Sequence, residues 1–171
     1  IGIAITSVNL NGGTLKYSTD NGTTWTSVGA VTTSSALLLA ADANTRLHFQ
    51  PAANYNGSIT DVLTFKAWDL STGAAGSKVD TTSGSAFSAD TDTASITVSA
   101  VNDAPTLDST KSPALTGIAE DASAASGTSD STLVSALVSL SGGIANVSDV
   151  DSASIGIAIT SVNLNGGTLK Y

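Results

Sequence analysis

The chain has 171 residues, a net charge of −8 and a sequence pI near 4.1, and charged residues make up only 12% of it. Because 14 acidic side chains oppose 6 basic ones, binding to nucleic acid is not expected. The sequence has neither cysteine nor methionine, which excludes disulfides, thiolate metal sites and thiol catalysis. It also lacks an apolar run of membrane-spanning length, so membrane insertion is not expected.

The first 17 residues, IGIAITSVNLNGGTLKY, recur without change as the last 17, residues 155–171. Position 155 minus position 1 gives an offset of 154, which indicates a tandem repeat of that period. Residues 1–103 are then the C-terminal part of one repeat, and residues 104–171 are the N-terminal part of the next. This organisation predicts that each repeat has the neighbouring repeats of the same array as partners. For this chain alone, it predicts that half-repeats of different molecules associate, as in strand donation or domain swapping.

Strand patterns dominate the first hundred residues. Period-two alternation predicts a strand at residues 1–9, and Asn11-Gly12-Gly13 predicts a hairpin turn into a returning strand with Leu15 and Tyr17. An apolar run at residues 36–40 precedes a polar stretch, and further strands are predicted at residues 46–49, 62–69 and 94–101. The Ser-, Thr- and Gly-rich residues 71–92 are predicted to form a long loop or an edge hairpin. Short strands separated by turns are typical of an antiparallel β-sandwich.

The pattern changes after Pro105. A Ser129-Asp130-Ser131 cluster that could cap a helix precedes apolar residues at helical spacing. These apolar residues are Leu133, Val134, Leu137, Val138 and Leu140. The sequence therefore predicts one short accessory helix at residues 131–140, ended by Gly142-Gly143, in a fold that is otherwise mainly β.

Two oxygen-rich segments point to a cation site. Asn102 and Asp103 follow the strand at 94–101, and Pro105 prevents that strand from continuing. Asp149 and Asp151 carry alternate carboxylates that point to a common side in an extended or turn segment. Ca²⁺ takes about six to eight oxygen ligands, so these four residues are candidate Ca²⁺ ligands. Asp90 and Asp92 form a second Asp-x-Asp pair and a further candidate for a loop Ca²⁺ site.

Four segments carry a resemblance to a known family: VNDAPTL (101–107), GIAED (117–121), SDVDS (148–152) and QPAANYNG followed by LTFKAWD (50–57 and 63–69). With them the chain resembles the cadherin-like repeats of giant bacterial surface adhesins, including those of RTX type. The resemblance implies a cadherin-like, Ig-like antiparallel β-sandwich that binds Ca²⁺ between domains. By that likeness the ligands are Asn102, Asp103, Asp149, Asp151, Glu120 and Asp69.

The function that this implies is a structural extender repeat of an extracellular adhesin on a bacterial cell surface, stiffened by Ca²⁺ at the junctions between repeats. The alternative is a module that itself binds glycans or cells, using Trp68, Tyr55 or the 71–92 loop. An enzyme is not expected, because the sequence offers no set of nucleophile, base and acid.

Two other motifs have a structural interpretation. The segment 18–25, STDNGTTW, matches the Asp-box of sialidase propellers, in which the Asp accepts turn amides, the Gly takes a positive φ and the Trp packs over the hairpin. His48, the sole histidine, is expected to be structural rather than a base or a ligand, and Trp68 is expected in the core or beside the ion rather than stacked on a sugar.

Overall fold

The computed structural model describes residues 1–125, 127–128, 130–140 and 143–171. The chain divides into two compact units, unit 1 (Ile1–Ala100) and unit 2 (Val101–Tyr171). The described part is mainly β, with antiparallel sheets and a single helix of four residues, and this confirms the prediction of a mainly β chain with antiparallel strands. No described helix is both long and apolar enough to cross a membrane.

Unit 1 contains two antiparallel sheets. Its strands are β1 (Gly2–Val8), β2 (Thr14–Ser18), β3 (Thr26–Ser27), β4 (Ala36–Ala40), β5 (Arg46–Gln50), β6 (Gly57–Trp68), β7 (Lys78–Val79) and β8 (Asp92–Val98). The larger sheet has the order β7-β4-β1-β6-β8, and the smaller sheet has the order β3-β2-β5. All the strands predicted in unit 1 are therefore present.

The predicted hairpin between β1 and β2 is wrong, because the two strands belong to different sheets. The Asn-Gly turn itself forms, with Gly12 at φ 80° and the Gly13 N–H donating to the Leu10 carbonyl at 2.7 Å. However, β4 and β6 occupy the two edges of β1, so no edge remains for β2. The turn therefore carries the chain from one sheet to the other.

The main core of unit 1 is shared by the two sheets. Ile5 of β1, two residues of β4 and three residues of β6 come together with Leu15 of β2 and with Val28, which follows β3. The buried members of this core are Ile5, Leu15, Val28, Leu37, Leu39, Ile59, Val62 and Leu63. Burial of these apolar side chains holds the larger sheet against the smaller one.

The opposite face of the larger sheet has a second core. Strand β4 reads Ala-Leu-Leu-Leu-Ala and sends Leu37 and Leu39 into the main core but Leu38 into the second core, with Trp68 and Ala86. The segment predicted as a loop or an edge hairpin covers this face. It supplies β7 at the sheet edge, and a Cβ at Gly73 would lie only 2.5 Å from Leu38 Cδ1.

Unit 2 has little regular structure in its described residues. It contains strands β9 (Thr106–Leu107) and β10 (Val147–Ser148), which pair antiparallel, and helix α1 (Val134–Leu137). The helix is shorter than the predicted span of 131–140. It has no buried residues, and its N-cap, Leu133, makes no side-chain cap, so little offsets the cost of helix nucleation.

Parts of the predicted helix ends, Ser129 and Gly142, lie outside the described residues. The described members of the predicted cap do not cap α1. Ser131 Oγ donates instead to the Thr128 carbonyl at 3.0 Å. The prediction of a side-chain cap is therefore wrong for the residues that the structure describes.

The two copies of the repeated sequence adopt different structures. Residues 155–171 form no strand, and Ile159 is 61% exposed, whereas its equivalent Ile5 is fully buried. Only the turn is common to both copies. Gly166 has φ 90°, and the Gly167 N–H donates to the Leu164 carbonyl at 2.7 Å, as in the first copy. The turn is thus encoded locally, whereas the strands require partners.

The second core should be essential for the stability of unit 1. Because Leu38 is fully buried, Leu38→Ala should lower the free energy of unfolding by about 2–5 kcal/mol through lost burial and a residual cavity. Leu70→Ala is the control, since Leu70 also lies in unit 1 but is 46% exposed, and it should change stability by at most about 0.5 kcal/mol. Urea unfolding followed by tryptophan fluorescence measures both, and equal effects would contradict the assignment of Leu38 to a core.

Candidate functional site

The pairing of β9 with β10 brings four of the predicted ligands into one neighbourhood. Thr106 lies opposite Ser148 in this pair, so the segment that leads into β9 runs beside the segment that leaves β10. The Asp103 N–H donates a hydrogen bond to the Asp151 carboxylate. Two segments almost fifty residues apart in sequence are therefore in contact through predicted site residues.

Backbone amides hold the aspartates of this site. Asp149 Oδ1 accepts from the N–H groups of Asp151 at 2.9 Å and of Ser152 at 2.7 Å, which is the pattern of an Asx turn. Asn102 Nδ2 donates to the Asp103 carbonyl oxygen at 2.8 Å. Ser152 is not among the site residues predicted from the sequence. Its position three residues after Asp149 is the local sequence signal for this turn.

An open cavity of about 460 Å³ lies beside these residues, entirely within unit 2. Its polar wall contains Asn102, Asp103, Asp149, Ser152 and Ser154. Its apolar lining contains Pro105, Leu107, Val138, Val147, Ile155 and Ile157. Solvent ions can therefore reach carboxylate and amide oxygens from the open side.

The oxygen donors match the chemistry of Ca²⁺, because carboxylate and amide oxygens are its usual ligands. They do not form a finished cage. In the described residues, no three Asp, Glu, His or Cys side chains come together as a group that could hold a metal ion. The Asp103 N–H donates to one oxygen of the Asp151 carboxylate, Oδ2, and an ionised carboxylate has a second acceptor oxygen. The calcium site stays a prediction.

The other predicted ligands lie elsewhere. Asp69, at the end of β6 in unit 1, accepts from the Ser71 N–H at 2.8 Å, and hydrogen bonds from the Ser71 side chain and amide lower the Asp69 pKa. Asp92 accepts from the Thr93 N–H at 2.8 Å, and the carbonyl oxygen of Asp90 accepts from Ser88 Oγ. Glu120 lies in unit 2, is exposed and is not among the residues that line the cavity.

The Asp-box forms the predicted structural turn. Asp20 accepts from the Thr24 N–H at 2.8 Å, from Thr24 Oγ1 at 2.6 Å and from Ser18 Oγ at 2.7 Å. Gly22 has φ 90°, and a Cβ there would lie 3.6 Å from the Trp25 ring. These contacts confirm the predicted roles of the Asp, the Gly and the Trp.

Two aromatic neighbourhoods bear on ligand binding. Trp68 is only 2% exposed and donates its indole N–H to the Thr72 carbonyl at 2.8 Å, so it is a core residue and offers no face to a sugar. Trp25 is 41% exposed and meets the His48 ring edge-on at a centroid distance of 5.6 Å. His48 is therefore held at the surface by an aromatic contact that the sequence did not indicate.

No protein-family model matches the chain, and the searches of curated proteins and of solved structures give no match either.

The Asp-box turn predicts a measurable acid response. Hydrogen bonds from the Thr24 side chain and amide and from Ser18 lower the Asp20 pKa from 3.8 to about 2. A lowered folded-state pKa contributes stability that is present above pH 3.8 and is lost as the pH falls toward 2. An NMR titration of the Asp20 carboxyl group should therefore have its midpoint near pH 2.

Matched threonine variants separate the causes of this shift. Thr24→Val removes the Oγ1 donor and should move the Asp20 midpoint upward, toward 3.8. Thr23→Val is the control, because Thr23 Oγ1 donates to the Asp20 main-chain carbonyl and not to its carboxylate. If both variants titrate like the unmodified chain, the Thr24 hydroxyl does not stabilise the charged carboxylate.

Proposed function

We propose that this chain is part of a cadherin-like extender array, which spaces the adhesive end of an extracellular bacterial surface protein away from the cell. The observation that carries the proposal is the unchanged return of 17 residues at an offset of 154. Core packing tolerates volume-conserving substitutions, so folding alone does not require such identity. Recent duplication within an array explains it, and arrays of this kind set length or display rather than catalyse a reaction.

The architecture of unit 1 supports the proposal. Two antiparallel sheets share the main core, and this is the packing expected of a cadherin-like, Ig-like sandwich. Such a sandwich is suited to mechanical spacing because its strands form long-range antiparallel pairs.

The acids of unit 2 supply the proposed calcium response. Asp103 lies three residues after Ala100, the last residue of unit 1, and the pairing of β9 with β10 brings the negative charges of Asp149 and Asp151 close to it. Without a cation, like charges at this spacing repel one another. Ca²⁺ bound by these carboxylates and the Asn102 amide oxygen would join the segments before β9 and after β10, which stiffens the junction and stabilises the fold by linkage.

The alternative, a module that binds glycans or cells, would need exposed aromatic side chains such as Trp68 or Tyr55. Trp68 is buried, and Tyr55 packs against the main core while its hydroxyl accepts from Asn11 Nδ2 at 3.2 Å. The 71–92 loop covers the second core. The extender therefore accounts for more of the observed packing than a binding module does.

Calcium titration tests the proposal. Calorimetry on the EDTA-stripped chain should detect Ca²⁺ binding, and the double variant Asp149→Asn, Asp151→Asn should weaken it at least about tenfold, since it removes two charged ligands. At a Ca²⁺ concentration of about 100 Kd, the free energy of unfolding should rise by about 2.7 kcal/mol.

Asp108→Asn is the matched control. Asp108 also lies in unit 2 and accepts from the Thr110 N–H at 2.9 Å, but it does not line the cavity. This variant should bind Ca²⁺ like the unmodified chain, and small-angle scattering should show a narrower distribution of sizes when Ca²⁺ is present. Absence of binding, or equal loss in Asp108→Asn, would overturn the calcium part of the proposal.

A further inference from the structure

Residues 155–171 carry the sequence of β1 and β2 without the structure of either strand. Their apolar side chains are largely solvent-exposed: Ile159 is 61% exposed, Val162 56%, Leu164 40% and Leu169 46%. An exposed series of this kind normally marks an interaction surface. The question is which partner would cover it.

The first copy of the same sequence identifies the partner surface. In residues 1–17, Ile5 is fully buried and Leu15 is 4% exposed, both in the main core. Ile3 lies opposite Leu39 of β4 and Ala67 of β6, so β1 is paired along both edges. Because the two copies are identical, the surface that residues 18–100 present to residues 1–17 also fits residues 155–171, side chain by side chain.

We propose that residues 155–171 dock into unit 1 of a second copy of this chain, where they take the place of that copy's residues 1–17 as strands β1 and β2. In a tandem array, the receptor for residues 155–171 is the repeat that follows, not the one that precedes, and a second copy supplies that surface. The inference rests on the proposed tandem array but not on its calcium response.

The exchange conserves contacts, because each displaced side chain is replaced by an identical one. Its equilibrium is therefore set by protein concentration and by the release of residues 1–17, whose covalent attachment gives them a high effective concentration. The donor segment of one copy and the receptor of the next are different surfaces, so the association is head-to-tail and can continue from copy to copy.

Disulfide trapping tests the docking register in a chain that has no cysteine of its own. Ser7 lies opposite Thr64, with their side-chain oxygens 3.4 Å apart, so the equivalent Ser161 should lie opposite Thr64 after docking. Full-length Ser161→Cys and Thr64→Cys chains are unfolded in urea, mixed and refolded in EDTA, with mild oxidation. The expected product is a disulfide-linked heterodimer that joins positions 161 and 64, with a yield that rises with concentration.

Four further variants test whether the trapped disulfide reports the proposed docking. Ser7→Cys with Thr64→Cys in one chain should close within that chain, which shows that the strand pair can form the bond. A Ser58→Cys acceptor should not be trapped, because Ser58 lies opposite Thr97 of β8 rather than opposite β1. In the donor, Ile159→Asp should lower the yield about tenfold or more, since it places a carboxylate where Ile5 is buried. Thr168→Asp should leave it within about twofold, since Thr14 is exposed.

A vacated acceptor makes the test stringent. In the Thr64→Cys acceptor, Ile5→Asp and Ile159→Asp together prevent its own residues 1–17 and 155–171 from docking. Only residues 155–171 of a second copy can then dock on its residues 18–100, and the heterodimer yield should rise several-fold. If that acceptor does not fold even with donor present, the co-refolding of the single-cysteine chains decides alone. No heterodimer in that mixture would overturn the proposal. The chain with Ile5→Asp, Thr64→Cys and Ser161→Cys tests whether residues 155–171 replace residues 1–17 of their own chain. A disulfide within the monomer of this variant would also overturn the proposal.

Discussion

The insertion of β1 between β4 and β6 is the constraint on which unit 1 depends. This strand sends Ile5 into the main core and Ala4 into the second core, so both faces of the larger sheet rely on it. Its first residue must be small, since a Cβ at Gly2 would lie 2.9 Å from the Trp68 ring. Neither edge of β1 is open, and this forces the chain at Asn11 and Gly12 to cross to the smaller sheet instead of folding back on itself.

The sequence indicates the strands of unit 1 well, because alternation and apolar runs are local signals. It fails where the outcome depends on distant partners. The same 17 residues form two strands in one place and none in another, while Gly12 and Gly166 keep the same turn in both. A strand gains its stability from cross-strand pairs, so its sequence indicates only that it can pair. The sequence of a glycine turn, in contrast, specifies a backbone conformation by itself.

The candidate site shows the same division between local and distant information. The spacing of Asp149 and Asp151 was enough to single them out as a pair, and the turn that Asp149 forms depends only on the amides two and three positions ahead. The proximity of Asp103 to Asp151 depends on the register of β9 with β10, which no local pattern specifies. The burial of Trp68 depends likewise on the loop that returns through Thr72 and Ala86 to cover it. Residue chemistry could therefore be predicted, but the assembly of the residues required the pairing.

The arrangement of β1, β6 and β8 has a mechanical consequence. Strand β1 begins opposite Trp68, and β8 ends opposite Gly57, at the other end of β6. At a rise of about 3.3 Å per residue, these two points are about 36 Å apart along β6. A tensile force on the two ends of unit 1 would pull β1 and β8 in opposite directions along β6. The hydrogen bonds of the β1–β6 and β6–β8 pairs would then be loaded together in shear, rather than breaking one after another as in unzipping.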